Sequence, residues 1–265
     1  MSECSVELRL KHPMRGVVDK VNEIGGPYIG LVMAYPTDER ALLRSGITVQ
    51  ILAGTFEIEG IVHYGTAESV NASLPIADEF KSGTGKLPEL KFGDFDFPGK
   101  GENLLAKIEF TPTQVFSIGK SMEEMFWLPI NSKWFNIASQ LQEINLERCV
   151  NDTYCLAEAP KVVFGLRGCT ADIFVDNAGY RDFLFKQFSV STVDEESAAI
   201  VMASLSNGVP CVVFRGVSDL AGGELKLAET SFSPLASVNA LIAAVEFIKL
   251  SGNKVKTNTY AVQEN

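Results

Sequence analysis

The stretch from Val193 to Asp219 constrains the fold of this chain more than any other. Val193-Asp194-Glu195-Glu196-Ser197-Ala198-Ala199 opens a pattern with Ala198, Val201, Met202 and Leu205 at helical spacing, and Asn207-Gly208 supplies a C-terminal stop. Val209-Pro210-Cys211-Val212-Val213-Phe214-Arg215-Gly216-Val217-Ser218-Asp219 then reads as a buried strand with an acid at its carboxyl end. A helix over 194–206 followed directly by such a strand is an α/β unit. Glu196 and Asp219 are thereby set at the ends of neighbouring elements, and ligands of open α/β sheets sit just outside such strand ends. On these residues alone the plainer reading is preferred, that both acids simply end their elements.

The alternation recurs along the chain. Residues 1–27 read as an N-terminal helix ending at Gly25-Gly26-Pro27, and Tyr28 to Ala34 as a buried strand. Pro36-Thr37-Asp38-Glu39 reads as a turn and helix start, with a short helix through Leu42 and Leu43 that stops near Ser45-Gly46. Ile47 to Phe56 is helical again, and Gly60 to Gly65 is a second buried strand. From about Glu68 to Asn103 the chain is polar and rich in Gly and Lys, which predicts an irregular loop. Its Ser82-Gly83-Thr84-Gly85-Lys86 mimics a phosphate-binding loop, but Phe80 and Leu87 stand where Gly and Ser or Thr are required. Phe126-Trp127-Leu128-Pro129 and then Trp134, Phe135, Ile137, Leu141 and Ile144 predict a packing helix rather than a ligand cage. Lys161 to Gly165 starts a strand, Asp172 to Val175 ends one, and Asn177 to Lys186 is a helix. The last helix carries Leu235, Val238, Leu241, Ile242, Val245 and Ile248 at helical spacing, and everything after Gly252 reads as a polar tail. No repeat or linker divides the chain.

Charge limits the partners. The net charge is −10 over 265 residues, which argues against nucleic acid and anionic membranes, since both need a basic surface. No run of about 18 apolar residues is present, so no membrane-spanning helix is predicted. The first residues, Met1 to Leu8, lack the apolar core of a signal peptide. The expectation is a cytoplasmic chain, or one from which a signal has been lost. Two sequons pull the other way, Asn71-Ala72-Ser73 and Asn151-Asp152-Thr153. Cys149 and Cys155 flank the second of them and are either a small disulfide-closed loop or two free thiols. Cys169 and Cys211 sit in apolar runs and read as buried hydrophobes, leaving Cys4 near the terminus. With only His12 and His63 and no zinc-type spacing, no metal site is expected.

Several segments together resemble a known family. They are Ile29–Leu43, Phe56–Ala67, Phe126–Trp134, Cys149–Cys155 and Arg167–Gly223, the last including Phe-Arg-Gly-Val-Ser-Asp-Leu-Ala-Gly-Gly. The chain resembles the plant bark and vegetative storage proteins, including wound-inducible members, which are relatives of purine nucleoside phosphorylases and methylthioadenosine nucleosidases. The resemblance implies an α/β fold: a single domain, a mostly parallel or mixed sheet flanked by helices, phosphorylase/hydrolase-like, with some central strands missing. It implies an N-terminal segment over 1–27, a phosphorylase-like domain over 28–250 truncated near 46–47, and a polar tail over 251–265. It further implies that Asp219 protonates or holds the purine at N7, that Glu196 accepts from the ribose hydroxyls, and that Phe174 stacks on the base. Glu39 would stand near the catalytic acid of the nucleosidases, although one extra residue shifts this turn. Gly65, Thr66 and Ala67 would approach phosphate or the attacking water. It favours the Cys149–Cys155 disulfide, glycosylation at Asn71 and Asn151, and a vacuolar or secretory location. No cofactor is implied beyond phosphate as co-substrate of a phosphorylase. The partners are a purine nucleoside or base and further copies of the chain.

Three departures count against catalysis. Glu195 stands where the family has a small apolar residue packing against the sugar, so Asp194, Glu195 and Glu196 crowd charge where the pocket needs an apolar wall. Glu68 replaces the Gly that would let backbone approach an anion. Two unit charges about 4 Å apart at an effective dielectric near ~20 repel by roughly 4 kcal/mol, about a thousandfold in phosphate affinity. The chain is also short at Gly46-Ile47, where relatives carry further strands, and that loss exposes sheet edges. The sequence therefore favours a storage protein over a nucleoside-cleaving enzyme, with an unfolded fragment as a weaker third reading.

Overall fold

The computed structural model describes residues 15–34, 41–70, 89–91, 107–109, 112–117, 119–171, 174–175, 177–222 and 232–261. The strand β2 (Ile58–Ser69) is the axis of the sheet. Its Ile61 to Gly65 segment is buried on both faces, as expected of a strand covered on both sides by helices. Along one edge it pairs first in parallel with β1 (Tyr28–Met33) and then, at Glu68 and Ser69, antiparallel with β8 (Thr192–Asp194). Along the other edge it pairs in parallel with β9 (Cys211–Leu220). The strand β7 (Gly168–Thr170) extends the sheet in parallel beyond β8. Two small hairpin pairs lie apart, β3 (Glu89–Lys91) with β4 (Lys107–Glu109), and β5 (Thr113–Val115) with β6 (Glu123–Met125).

Helices cover both faces. On one, α6 (Ser233–Ala261) lays Ala240, Ala244 and Phe247 on Val62, Tyr64 and Val212. Trp134 and Ile137 of α3 (Ser132–Ala138), with Leu141 of the following 3₁₀ turn, complete that core. On the other face α2 (Ala41–Thr55) and α5 (Ser197–Ser206) bring Val49, Ile200 and Val201 onto Val32, Ile61 and Cys211. A third cluster joins Leu184 and Phe188 of α4 (Ala178–Phe188) to Val193 and Ala221. The helix α1 (Arg15–Gly25) precedes β1.

Several expectations need correction. No helix stop occurs at Ser45-Gly46: α2 runs unbroken from Ala41 to Thr55. Gly46 lies opposite Ala199 of α5, and an interior glycine costs only about 1 kcal/mol, which packing overrides. The truncation expected near 46–47 thus falls in mid-helix. Among the described residues β1, β2 and β9 pair side by side. The predicted loop over 68–103 contains the end of β2 and all of β3; the phosphate-loop mimic and residues 71–88 lie outside the described residues. Residues 161–165 form no strand, because Val162 packs on the first core without a neighbouring ladder to join. The strand of that region is β7; Phe174 and Val175 lie beyond it, and Asp172 and Ile173 are outside the described residues. The helix expected from 194 begins at Ser197, since Asp194 ends β8. The supposed polar tail continues α6 as far as Ala261. Helical hydrogen bonds are internal to the segment, so the helix does not need an apolar stripe in order to continue. Ser233–Gly252 is long and apolar enough to cross a membrane by length and composition, but its apolar face is the one laid on the sheet.

Candidate functional site

Five of the residues singled out in the sequence for substrate contact meet at one cavity of about 180 Å³: Thr66, Ala67, Phe174, Glu196 and Asp219 line it. Thr66 comes from the end of β2, Asp219 from the end of β9, Glu196 from the turn between β8 and α5. Phe174 is 57% exposed. Glu68 and Glu195 line the same cavity. The Ser218 hydroxyl lies within hydrogen-bond reach of the Asp219 carboxylate and of the Ala67 carbonyl. Glu39 and Asn71 lie outside the described residues. Gly65 does not line the cavity. A Cβ there would run into the Ala34 side chain and sit 2.6 Å from Nη1 of Arg215, so the glycine makes room for both neighbours.

That guanidinium was not singled out in the sequence, and it organises the site. Arg215 is 7% exposed; its Nε lies 3.1 Å from Oδ2 of Asp194 and its Nη2 lies 3.0 Å from Oε2 of Glu196. Nη1 donates to the Thr66 carbonyl at 3.0 Å. Nη2 also meets Nε2 of His63 at 2.7 Å, and Nε and Nη2 both reach Oγ of Ser197. Asp194 is equally engaged. Its Oδ1 accepts from the amides of Glu196 and Ser197 and from the Thr170 hydroxyl, and its Oδ2 accepts from Ser197 Oγ. It thereby satisfies amides at the start of α5, which the Glu196 side chain does not cap. The expected row of three acids in the pocket is accordingly two: Asp194 is held behind the wall by Arg215, while Glu195 and Glu196 line the cavity.

The electrostatics follow from burial and this one cation. Burial alone would push Asp194 up, but Arg215 and the hydrogen bonds from Ser197 and Thr170 hold it below the usual carboxylate range. Glu196 is raised, by burial first and by the neighbouring Asp194 and Glu195 charges, with Arg215 only partly offsetting them. His63 is fully buried and is pushed down to about 3, by burial and then by the Arg215 charge, so it is neutral at physiological pH. Its Nδ1 lies 2.9 Å from the Val32 carbonyl and donates to it, which leaves Nε2 to accept from Arg215. The signals for this network were present in the sequence: a lone Arg and a lone His inside apolar strand runs must have partners once buried. Their pairing depends on the β2–β9 register, in which His63 faces Val213 and Gly65 faces Arg215.

Comparison with known proteins gives the lineage. Residues 94–249 match the Phosphorylase superfamily. The chain belongs to the phosphorylase superfamily. Within it, the chain is 40% identical to Bark storage protein A of Populus deltoides over 84% of this chain and 75% of the relative. It is also 40% identical to Bark storage protein B of the same plant, over 76% of this chain and 68% of the relative. In fold it is similar to the Streptococcus pneumoniae MTA/SAH nucleosidase in complex with 8-aminoadenine, with a TM-score of 0.52 and 16% identity over 84% of this chain and 100% of that one.

Among the described residues of this superfamily member, no group of His, Cys, Asp and Glu side chains is arranged to hold a metal ion. Cys169 and Cys211 are free thiols, each pushed up to about 12, by burial first, and so unreactive at neutral pH. Cys149 and Cys155 form a disulfide. The closed loop is also held by backbone bonds from Val150 to Tyr154 and from Leu156 to Arg148. Within it Oδ1 of Asn151 accepts from the Thr153 amide and hydroxyl and from the Tyr154 amide. Tyr154 stacks on Phe232 with ring centroids 4.4 Å apart, next to Ser233 at the cavity rim. Replacing both cysteines with serine should cost about 2 kcal/mol, the chain-entropy value for so short a loop. Equilibrium unfolding in denaturant measures it.

Proposed function

We propose that this chain is a plant nitrogen storage protein of the bark and vegetative type, on a phosphorylase-superfamily scaffold whose cavity still accepts a purine nucleoside or base. The observation that carries the reading is the 40% identity to a bark storage protein over 84% of the chain. The electrostatics of the cavity support it. Glu68, Glu195, Glu196 and Asp219 line the cavity, and the neighbouring guanidinium is already shared between Asp194 and Glu196. An entering phosphate would meet like charge, each close contact costing roughly 4 kcal/mol. Wound-inducible accumulation, a vacuolar or secretory compartment, self-association and a glycan on Asn151 belong to the same proposal. The exposure of Asn151 within the disulfide loop supports the last of these.

A second reading is favoured by the convergence of Thr66, Phe174, Glu196 and Asp219 on one cavity. Cleavage of an N-glycosidic bond develops positive charge on ribose and negative charge on the base, which suits a carboxylate at the sugar and an acid at the purine. In that reading Asp219 assists the departing base, Glu196 holds the ribose, Phe174 stacks on the purine, and the substrate is a purine or cytokinin riboside.

One experiment separates the two. Folded protein is incubated with a panel of purine nucleosides, with and without phosphate, and free base is measured. No base is expected from either arm, and Asp219→Asn should change nothing. Phosphate-independent release that Asp219→Asn abolishes would replace the storage reading with a nucleosidase. Phosphate-dependent release would make the chain a phosphorylase despite Glu68.

A further inference from the structure

We propose that His63 is a positioning residue for the cavity, a buried neutral acceptor that holds the Arg215 guanidinium in the orientation presenting Glu196 to the ligand. This rests on the reading that the cavity takes a purine nucleoside or base.

The argument starts from donor counting. The Nη2 of Arg215 has two hydrogens. Three acceptors surround it: His63 Nε2 at 2.7 Å, Ser197 Oγ at 2.9 Å and Glu196 Oε2 at 3.0 Å. Ser197 Oγ is also served by Nε at 3.1 Å. The two Nη2 hydrogens therefore divide between the histidine on one side and Glu196 on the other. Nη1 is tied to the Thr66 carbonyl, at the position the missing Gly65 side chain leaves open. His63 is 0% exposed, so water cannot replace it as the acceptor. Without it, Nη2 keeps only Ser197 Oγ and Glu196 Oε2, both on the α5 side, and the guanidinium gains a reason to turn.

The backbone explains why a histidine suits the place. The Val32 carbonyl of β1 takes the Nδ1 proton, which obliges Nε2 to accept. A proton on Nε2 would oppose the Arg215 donor. The ring thus spans three strands, from β1 through β2 to β9, and carries their register to a residue at the cavity wall. The charged groups facing Glu196 are Arg215, Asp194 and Glu195, so the placement of Arg215 decides how far the two negative charges are offset.

Two substitutions divide the roles of the ring. Asparagine can keep the donor to Val32 but cannot accept from Arg215. Glutamine can reach Arg215 with its amide oxygen but gives up the bond to Val32. Adenosine binding is measured by calorimetry, and the Glu196 carboxyl is titrated by carbon NMR in the absence of ligand. His63→Asn is expected to weaken adenosine about tenfold, the usual scale for losing a buried hydrogen bond to a charged group, and to raise the Glu196 midpoint further. His63→Gln is expected to restore both to near wild type. Equal behaviour of the two variants, or an unmoved Glu196 titration in His63→Asn, would overturn the proposal. If neither variant folds, nitrogen NMR of the wild type decides: a proton on Nδ1 and no titration between pH 5 and 8 supports it, and a proton on Nε2 refutes it. Should the wild type fail to bind adenosine, the ligand reading falls, while the carboxyl titrations still test whether His63 places Arg215.

Discussion

Replacing Arg215 with methionine should lower the stability of the fold by about 3–5 kcal/mol at neutral pH, the penalty for leaving buried carboxylates without their counter-ion. Asp194 and Glu196 are 4% and 6% exposed as side chains, so solvent cannot take over the role of the guanidinium. The pH dependence distinguishes this cause from simple loss of packing. In the wild type the folded pKa of Asp194 is depressed. Its contribution is therefore present above the unfolded value, about 3.9, and is lost as pH falls through the lower folded value. Glu196 has the opposite sign, being raised in the fold. Without Arg215 both carboxyls shift upward on folding. Their ionised forms then oppose folding at neutral pH and cease to do so once protonated. The stability curves of variant and wild type should accordingly converge on acidification. A gap that stays constant from about pH 7 to pH 4, the range in which carboxyls protonate, would show that methionine harms packing and that the charges are not responsible.

Gly216→Ala should cost about 3 kcal/mol, the upper end for overpacking, although it adds a single methyl. A Cβ at Gly216 would sit 2.0 Å from the Ala236 carbonyl oxygen and 2.5 Å from its carbon. Both are backbone atoms of the first turns of α6, so no rotamer change relieves the contact. The helix must lift from β9, and with it Ser233 at the cavity rim. Gly252→Ala is the control, since a Cβ there meets nothing within 4 Å. In a helix that change should be neutral or stabilising by up to ~1 kcal/mol. Chemical denaturation of both variants checks the contrast, and equal effects would remove the close approach of β9 and α6 as its cause.

The storage reading and the geometry are compatible because the two demand different things of the same scaffold. Burial of Val62, Val212 and Phe247 maintains the fold, and none of these side chains lines the cavity. The residues expected to handle a nucleoside lie at strand ends and turns, where substitution disturbs the core least. Glu68 and Glu195 line the cavity while the core beneath it stays packed.

Much of this was determined by the sequence alone. Helical spacing marked most of α5 and the buried part of α6, and apolar runs marked β1, β2 and β9, because periodicity and burial are local properties of the chain. The placing of Asp219 at a strand end followed from the same pattern. The α/β class was legible for that reason, whereas the lineage and the roles of the residues gathered at the cavity were implied by the resemblance to a known family. The sequence erred where local signals had no local outcome. Gly46 reads as a stop until α5 packs across it. Val162 reads as a strand until no ladder is offered to it. Only the tertiary structure decided what stands behind the cavity wall. His63 and Arg215 are 152 residues apart and meet through the register of two parallel strands, which no spacing rule encodes. It also decided that Gly65 admits a guanidinium and that Asp194 faces inward while Glu195 faces the cavity. Those outcomes depend on which surfaces are brought within a few ångströms of one another, and that is a property of the assembled sheet and not of any segment in it.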